Sequence, residues 1–295
     1  MTIVSLKKYY FLFSTLMIAA SLTFLALFKL VPSVDFVGGT LIELSIPNGN
    51  FSVEELRQQY AEPFSISSIQ SSGEKSIVIK SSELSSDRQT QLMSALQEKV
   101  GAVSIIRSET VGPTISGELV TKTVVAILVV VVFILLYVWK QFSELSFGIC
   151  AIIALLHDST ILLGAFSLFG YLWGVEVDVL FVTAMLTTLS FSIHDTVVVF
   201  DRIRELKRKY RQRDLESVIS EAVTETLSRS INNSVTIIIT LSALALLGGE
   251  TIRWFVIALL VGAVVGTYSS TFLAAPLLVV WDAISEKRKL AIKKK

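Results

Sequence analysis

VDVLFVTAMLTTLSFSIHDTVVVF, Val177 to Phe200, is the stretch that decides how this chain is read. Apart from Asp178 at its start, its only ionisable side chains are the adjacent His194 and Asp195. A helix rises about 1.5 Å per residue, so roughly 20 apolar residues cross the ~30 Å hydrocarbon core of a bilayer. This stretch is long enough, yet it holds an acid. An intramembrane carboxylate costs about 2.5 to 3.5 kcal/mol on insertion scales and normally faces a helix bundle or a wet cavity. A span of this kind predicts further spans packed around it.

Five more apolar runs are present: Tyr10 to Val31, Val120 to Trp139, Leu145 to Phe169, Ile231 to Leu247 and Trp254 to Trp281. Hydrophobic residues make up 52% of the chain, charged residues only 17%, and the mean hydropathy is +0.67, against about 25% charged residues in a soluble domain. An α-helical polytopic membrane protein with six transmembrane helices is expected. The first run follows Lys7 and Lys8, is too long for a signal-peptide core and lacks a small-residue cleavage site at its end, so it reads as a retained span. Cys150 is the single cysteine, which excludes an internal disulfide framework and leaves the redox compartment open.

The near-neutral net charge of +1 conceals segregation. Lys7, Lys8, Lys140, the run Arg202 to Arg213 and the tail Lys287 to Lys295 all fall on one side if the chain crosses six times. By the positive-inside rule that side is cytoplasmic, with both termini there; such segregation sets topology and does not indicate nucleic-acid binding. The expected division is 1–31 for the N-terminus and first span and 32–117 for an outer domain. Residues 118–283 hold the remaining five spans with a basic loop near 202–229, and 284–295 form a basic tail.

The outer segment is rich in Ser, Glu and Gln and reads as a small folded domain. Thr40 to Ile46 alternates as a strand, and Ser52 with Glu55 has capping-box spacing before a helix to Tyr60. Phe64 to Gln70 and Ser76 to Lys80 read as a hairpin around Gly73. Ser86 with Gln89 repeats the capping box, Leu92, Met93 and Leu96 give an apolar face, Gly101 stops the helix, and Val103 to Thr110 is a last strand. Strand, helix, strand, strand, helix, strand is the ferredoxin-like α+β order, placed between the first and second spans.

Two acids lie within spans, Asp158 and Asp195, each directly preceded by one of the two histidines, His157 and His194. Helical neighbours point about 100° apart, so each histidine is expected to hold water or a carbonyl rather than share its aspartate's orientation. Counting from Asp201 places Asp195 roughly 9 Å from the cytoplasmic end of its span, and counting from Glu144 places Asp158 some 20 Å deep. The two therefore read as separate proton stations at different levels, linked by water. Arg229, with Asn233 behind it, is the candidate cation for Asp195; its alternative is to snorkel to the interface. A carboxylate that alternates between a cation and a proton can convert protonation into helix movement.

Plainer readings stand beside these. Asp195 and Asp158 can staple helices, and Asp201 and Arg202, with Arg204 and Glu205, read rather as a solvated helix end than as a proton path. Two histidines without further ligands make a poor zinc site. Gly262 and Gly266 form a G-x-x-x-G whose expected use is packing within the chain rather than a dimer interface. No P-loop, dinucleotide fingerprint or Ser, His and Asp catalytic arrangement occurs, so no cofactor and no enzymatic activity is expected.

In order along the chain stand Asp35-Phe36-Val37-Gly38-Gly39, Val111-Gly112-Pro113-Thr114-Ile115-Ser116-Gly117, His157-Asp158, His194-Asp195-Thr196-Val197-Val198-Val199-Phe200-Asp201-Arg202 and Ser228-Arg229-Ser230-Ile231-Asn232-Asn233-Ser234. Together they resemble the SecF family, the smaller half of the SecDF accessory factor in the resistance-nodulation-division superfamily. Ser33 departs from the Gly that often precedes the Asp-Phe stretch. The resemblance implies a bacterial or archaeal cytoplasmic membrane, SecD as partner, association with the SecYEG channel and often YajC, and proton flow driving late preprotein translocation. It also implies that Asp195 is the essential fourth-span carboxylate and Arg229 the fifth-span basic residue. A non-transporting scaffold for the channel and half of a small-molecule proton antiporter are the competing readings; the outer segment is small for the second.

Overall fold

The computed structural model describes residues 3–47, 52–71, 75–82, 84–142 and 144–293. It divides into two compact units, one of Met1–Leu30, Ile127–Val175 and Leu180–Lys295, the other of Val31–Ala126 with Glu176–Val179.

The first unit is helical. After a 3-10 turn, Ile3–Leu6, comes α1, Lys7–Phe28. The second unit supplies α2, Val34–Val37, β1, Gly39–Ser45, α3, Val53–Tyr60, β2, Ile66–Ser71, β3, Ser76–Ser81, α4, Ser86–Val100, and β4, Ser104–Val111. Then follow α5, Pro113–Gln141, α6, Leu145–Trp173, α7, Val179–Lys209, α8, Leu215–Leu247, and α9, Glu250–Ser269; a π-helical turn, Ser270–Ala274, joins α9 to α10, Ala275–Lys293. Among the described residues, six segments are long and apolar enough to cross a membrane: Val4–Phe28, Pro113–Gln141, Leu145–Trp173, Val179–Lys209, Leu215–Leu247 and Ile252–Ser285.

The basic stretch expected as a loop near 202–229 is mostly helix. Only residues 210–214 separate α7 from α8. Arg, Lys and Glu are good helix formers, and ion pairs fasten the extension: Arg202 to Glu205 within α7, and Arg202 to Glu225 of α8 at 2.5 Å. Asp214 starts α8 by accepting the Ser217 N–H at 2.8 Å.

At the end of the bundle that carries these charges, Phe142, Phe147 and Phe200 pack with ring centroids 5.2 to 5.6 Å apart. Ile203, Ile219, Ala222 and Val223 are buried beside them. Small residues let helices meet closely: a Cβ on Gly262 would overlap the Thr188 side chain, and one on Gly266 would sit 3.0 Å from Ser192 Cβ. The G-x-x-x-G thus packs α9 on α7 of the same chain.

The π turn has a local cause. Pro276 lacks an N–H to donate one turn back, and its ring crowds the carbonyl there, so the backbone just before it departs from α geometry.

The second unit is built on an antiparallel sheet ordered β2-β3-β1-β4. Ile42, Leu44, Ile77 and Ile79 from the sheet and Leu56, Leu92 and Leu96 from α3 and α4 are nearly inaccessible and form its core. Ser52 caps α3, accepting from the Glu55 N–H at 3.5 Å. The second capping box is not made: Ser85, not Ser86, is the N-cap, and the Gln89 amide instead reaches the Leu84 carbonyl at 3.1 Å. The Gly73 turn lies outside the described residues, while the strands on either side pair antiparallel.

The Asp-Phe motif forms α2, with Ser33 as its cap accepting from the Asp35 N–H at 3.2 Å. Gly39 has φ +132 and faces the Ser81 carbonyl so closely that a Cβ would collide with it. Within the same unit, the Ser33 N–H donates to the Val177 carbonyl at 2.9 Å, and Asp35 accepts the N–H of Val179, the first residue of α7, at 3.2 Å.

Candidate functional site

Asp158 on α6 and Asp195 on α7 are both buried, 6% and 5% exposed. Asp158 keeps the ~20 Å counted from sequence, whereas the helix that carries Asp195 runs on beyond Asp201. Because α7 continues past Asp201 to Lys209, Asp195 lies about 21 Å from that helix end and Asp158 about 20 Å from the start of α6. Hydroxyls from neighbouring helices meet each carboxylate.

Asp158 accepts from Ser192 of α7 at 2.5 Å and from Ser269 of α9 at 2.7 Å, both on Oδ2. Its Oδ1 lies 2.9 Å from His157 Nδ1. The expectation that each histidine turns away from its aspartate therefore fails for His157: within the packed interior its χ angles swing the ring back to the neighbouring carboxylate. The opposite ring nitrogen, Nε2, is buried and without a hydrogen-bond partner. The ring stacks on Tyr268, centroids 6.2 Å apart, and Tyr268 in turn donates to the Tyr10 carbonyl at 3.0 Å.

Asp195 accepts from Ser230 of α8, 2.7 Å to each oxygen, and from Ser270 at the start of the π turn. One turn further along α8, Ser234 donates to the Ser230 carbonyl at 2.9 Å and meets Thr267 of α9, oxygen to oxygen, at 2.6 Å.

The remaining expected residues lie elsewhere. Arg229 is exposed and makes no hydrogen bond or ion pair among the described residues. It occupies the position before Ser230, and the ~100° step between helical neighbours gives Ser230 the inward direction and Arg229 another. His194 and Asn233 are likewise exposed. Asp201 takes the Gln141 amide at 3.2 Å and the Arg204 guanidinium at 3.3 Å, and Arg202 pairs with two glutamates, the solvated helix end among the readings weighed above.

Ser192, Ser230, Ser269 and Ser270 are the partners that sequence reasoning missed. Their signal was present: Ser192 precedes Asp195 by one turn, and Ser230 and Ser234 repeat at i, i+4 along one face of α8.

Chemically the arrangement is distinctive because every hydrogen-bond partner of the Asp195 carboxylate among the described residues is a hydroxyl. A serine donates to an ionised carboxylate and accepts from a protonated one, whereas a guanidinium only donates and holds only the ionised form. The cage therefore accommodates either protonation state without leaving a buried polar group unmade.

Comparisons with known proteins extend this geometry. The family model "Protein export membrane protein SecD/SecF, C-terminal" matches residues 91–283. The chain is similar to protein translocase subunit SecF of Anaerolinea thermophila, 36% identical over 94% of this chain and 93% of the relative. It is similar to SecF of Vibrio alginolyticus, 38% identical over 92% of this chain and 86% of the relative. Against SecDF of Brucella abortus it is 36% identical over 83% of this chain but 32% of that protein. The crystal structure of the translocon-associated membrane protein SecDF from Thermus thermophilus superposes with a TM-score of 0.86 at 33% identity, covering 95% of this chain and 38% of that one. SecDF in its super-membrane-facing form gives 0.72 at 31% identity, covering 99% and 40%. With six apolar spans and these full-length relatives, the chain is a multi-pass membrane protein that belongs to the SecF family of protein translocase subunits.

Proposed function

We propose that this chain is the SecF-type half of a SecDF complex that couples proton movement across the cytoplasmic membrane to late stages of preprotein translocation. Asp195 is the proton carrier, Asp158 its companion, and Arg229 the cation that meets Asp195 or the corresponding partner surface during the cycle. The observation that carries this reading is the all-hydroxyl cage of a buried carboxylate, equally suited to a proton bound and a proton released. A membrane potential supplies about 2.3 kcal/mol per charge for each 100 mV, enough to bias such a two-state group.

The basic helix ends and both termini lie on the cytoplasmic side in this reading, and the ferredoxin-like unit, residues 32–117, lies outside, facing the emerging preprotein. SecD is the required partner, with the SecYEG channel and YajC as further associates. The support is again physical. His194, Arg229, Asn232 and Asn233 are exposed on apolar spans, and their side chains meet no hydrogen-bond partner among the described residues. Lipid tails offer such groups nothing, so a second protein surface with acceptors and donors covers them. The solved SecDF chains, of which this chain spans about four tenths, are long enough to include that surface.

The test replaces Asp195→Asn in the complex with SecD, reconstituted with the SecYEG channel and the cytoplasmic ATPase. Loss of the proton-gradient-dependent part of preprotein translocation, at normal complex levels, is expected. Unchanged gradient dependence would leave a scaffold as the better account.

A further inference from the structure

We propose that Ser269 and Ser270 are paired positioning residues that couple protonation of Asp158 to protonation of Asp195, with the π-helical turn of the last span as the element that moves. This rests on the reading of Asp195 as a titrating group.

The two serines are chain neighbours, yet each donates to a different carboxylate: Ser269 to Asp158 on α6, Ser270 to Asp195 on α7. Each also has a rival acceptor one turn back. Ser269 Oγ lies 3.2 Å from the Gly266 carbonyl and Ser270 Oγ 3.1 Å from the Thr267 carbonyl. A hydroxyl has one proton to give. An ionised carboxylate wins it, because a charge-assisted bond is roughly twice as strong as a neutral one; a protonated carboxyl loses that advantage, and the helix carbonyl takes the proton. The choice is made at the first residue of Ser270–Ala274, the one π-helical turn among the described residues. A π turn holds an extra residue, and its return to α geometry would re-aim α10 by up to about 100°.

The two serines sit in one packed frame. They share a peptide bond, and α9 is held against α7 by Gly262 on Thr188 and Gly266 on Ser192. Ser192 is itself a donor to Asp158, so α7 feels the state of Asp158 as well. The titratable groups facing the pair are His157 on α6, Tyr268 on α9 and, through Tyr268, Tyr10 on α1. No lysine or arginine bonds either carboxylate among the described residues.

The experiment uses the purified complex with SecD in nanodiscs, with isotope-edited infrared bands following the protonated carboxyl of Asp195. Asp158→Asn is expected to move the Asp195 midpoint by about one pH unit, a tenfold change in proton affinity of the size one charged hydrogen bond supplies. Direct Coulomb interaction would also move it, so the shift is measured again in S269A/S270A. Collapse of the shift to under a third, with recovery in S269T/S270T, supports the coupling. An equal shift with and without the serine hydroxyls overturns it. If the double variant does not assemble, S270A alone is compared in the same way, with the same two outcomes. Failure of the underlying reading looks different: Asp195 in the unmodified complex would show no titration at all.

Discussion

Ser192 and Asp195 lie one turn apart on α7 and face the same interior, yet they serve different ends: the serine donates to Asp158 at 2.5 Å, while the aspartate receives Ser230 and Ser270. Rotation of α7 that carries Asp195 away from its cage therefore also withdraws Ser192 from Asp158. The two carboxylates are joined through α7 in this structure.

Ser192→Ala tests that link. Loss of one buried side-chain hydrogen bond to Asp158 should lower the stability of the complex by about 1 to 2 kcal/mol, and Ser192→Thr, which keeps the hydroxyl, should recover it. Thermal unfolding measures the change; unaltered stability in Ser192→Ala would show that the contact carries no net energy.

Gly262 offers a purely steric prediction. A methyl there would overlap Thr188, and overpacking of this kind costs about 1 to 3 kcal/mol. Gly262→Ala should lower thermal stability by that amount, and Thr188→Ser in the same chain should recover part of it. Additive losses in the double variant would mean that the two side chains do not meet.

The architecture was legible because bilayer crossing and strand alternation are period signals that need only local sequence. All six apolar runs became helices, and β1 to β4 fall within two residues of their expected limits. Two kinds of feature were hidden. Helix ends outside an apolar run carry no hydropathy signal, so Arg202–Lys209 read as loop and the full length of the helix that carries Asp195 went unseen. Hydrogen-bond partners of a buried acid depend on which helices adjoin it, a tertiary fact. Arg229 was legible as the nearest cation in the pattern, while the contact that Asp195 makes in this structure comes from its neighbour Ser230.

Asp35 shows what the motif leading into the sheet-containing unit accomplishes. Its carboxylate accepts the Val179 N–H at 3.2 Å, at the first turn of the helix that carries Asp195 further along. Asp35→Ala should cost about 0.5 to 2 kcal/mol and raise hydrogen-exchange rates in the first turn of α7, whereas Asp35→Asn, which keeps an acceptor, should cost less. Equal protection in all three chains would mean that water replaces the cap fully.

Lys80 of β3 supplies a pH prediction outside the membrane. Burial pushes its ammonium down to about 8 from 10.5, and the Glu176 carboxylate is its ion-pair partner. A carboxylate favours the charged lysine, so Glu176→Gln removes that support while burial remains, and the midpoint should fall below 8. The sign for stability follows from proton counting. Between pH about 8 and 10.5 the folded unit has released a proton that the unfolded chain still holds, so stability rises with pH through that window, and this rise should vanish in Lys80→Met. Dimethyl-lysine carbon-13 resonances of the intact complex give the midpoint directly. A Lys80 signal that titrates near 10.5 in both chains would show the side chain to be solvated and the pairing with Glu176 to be incidental.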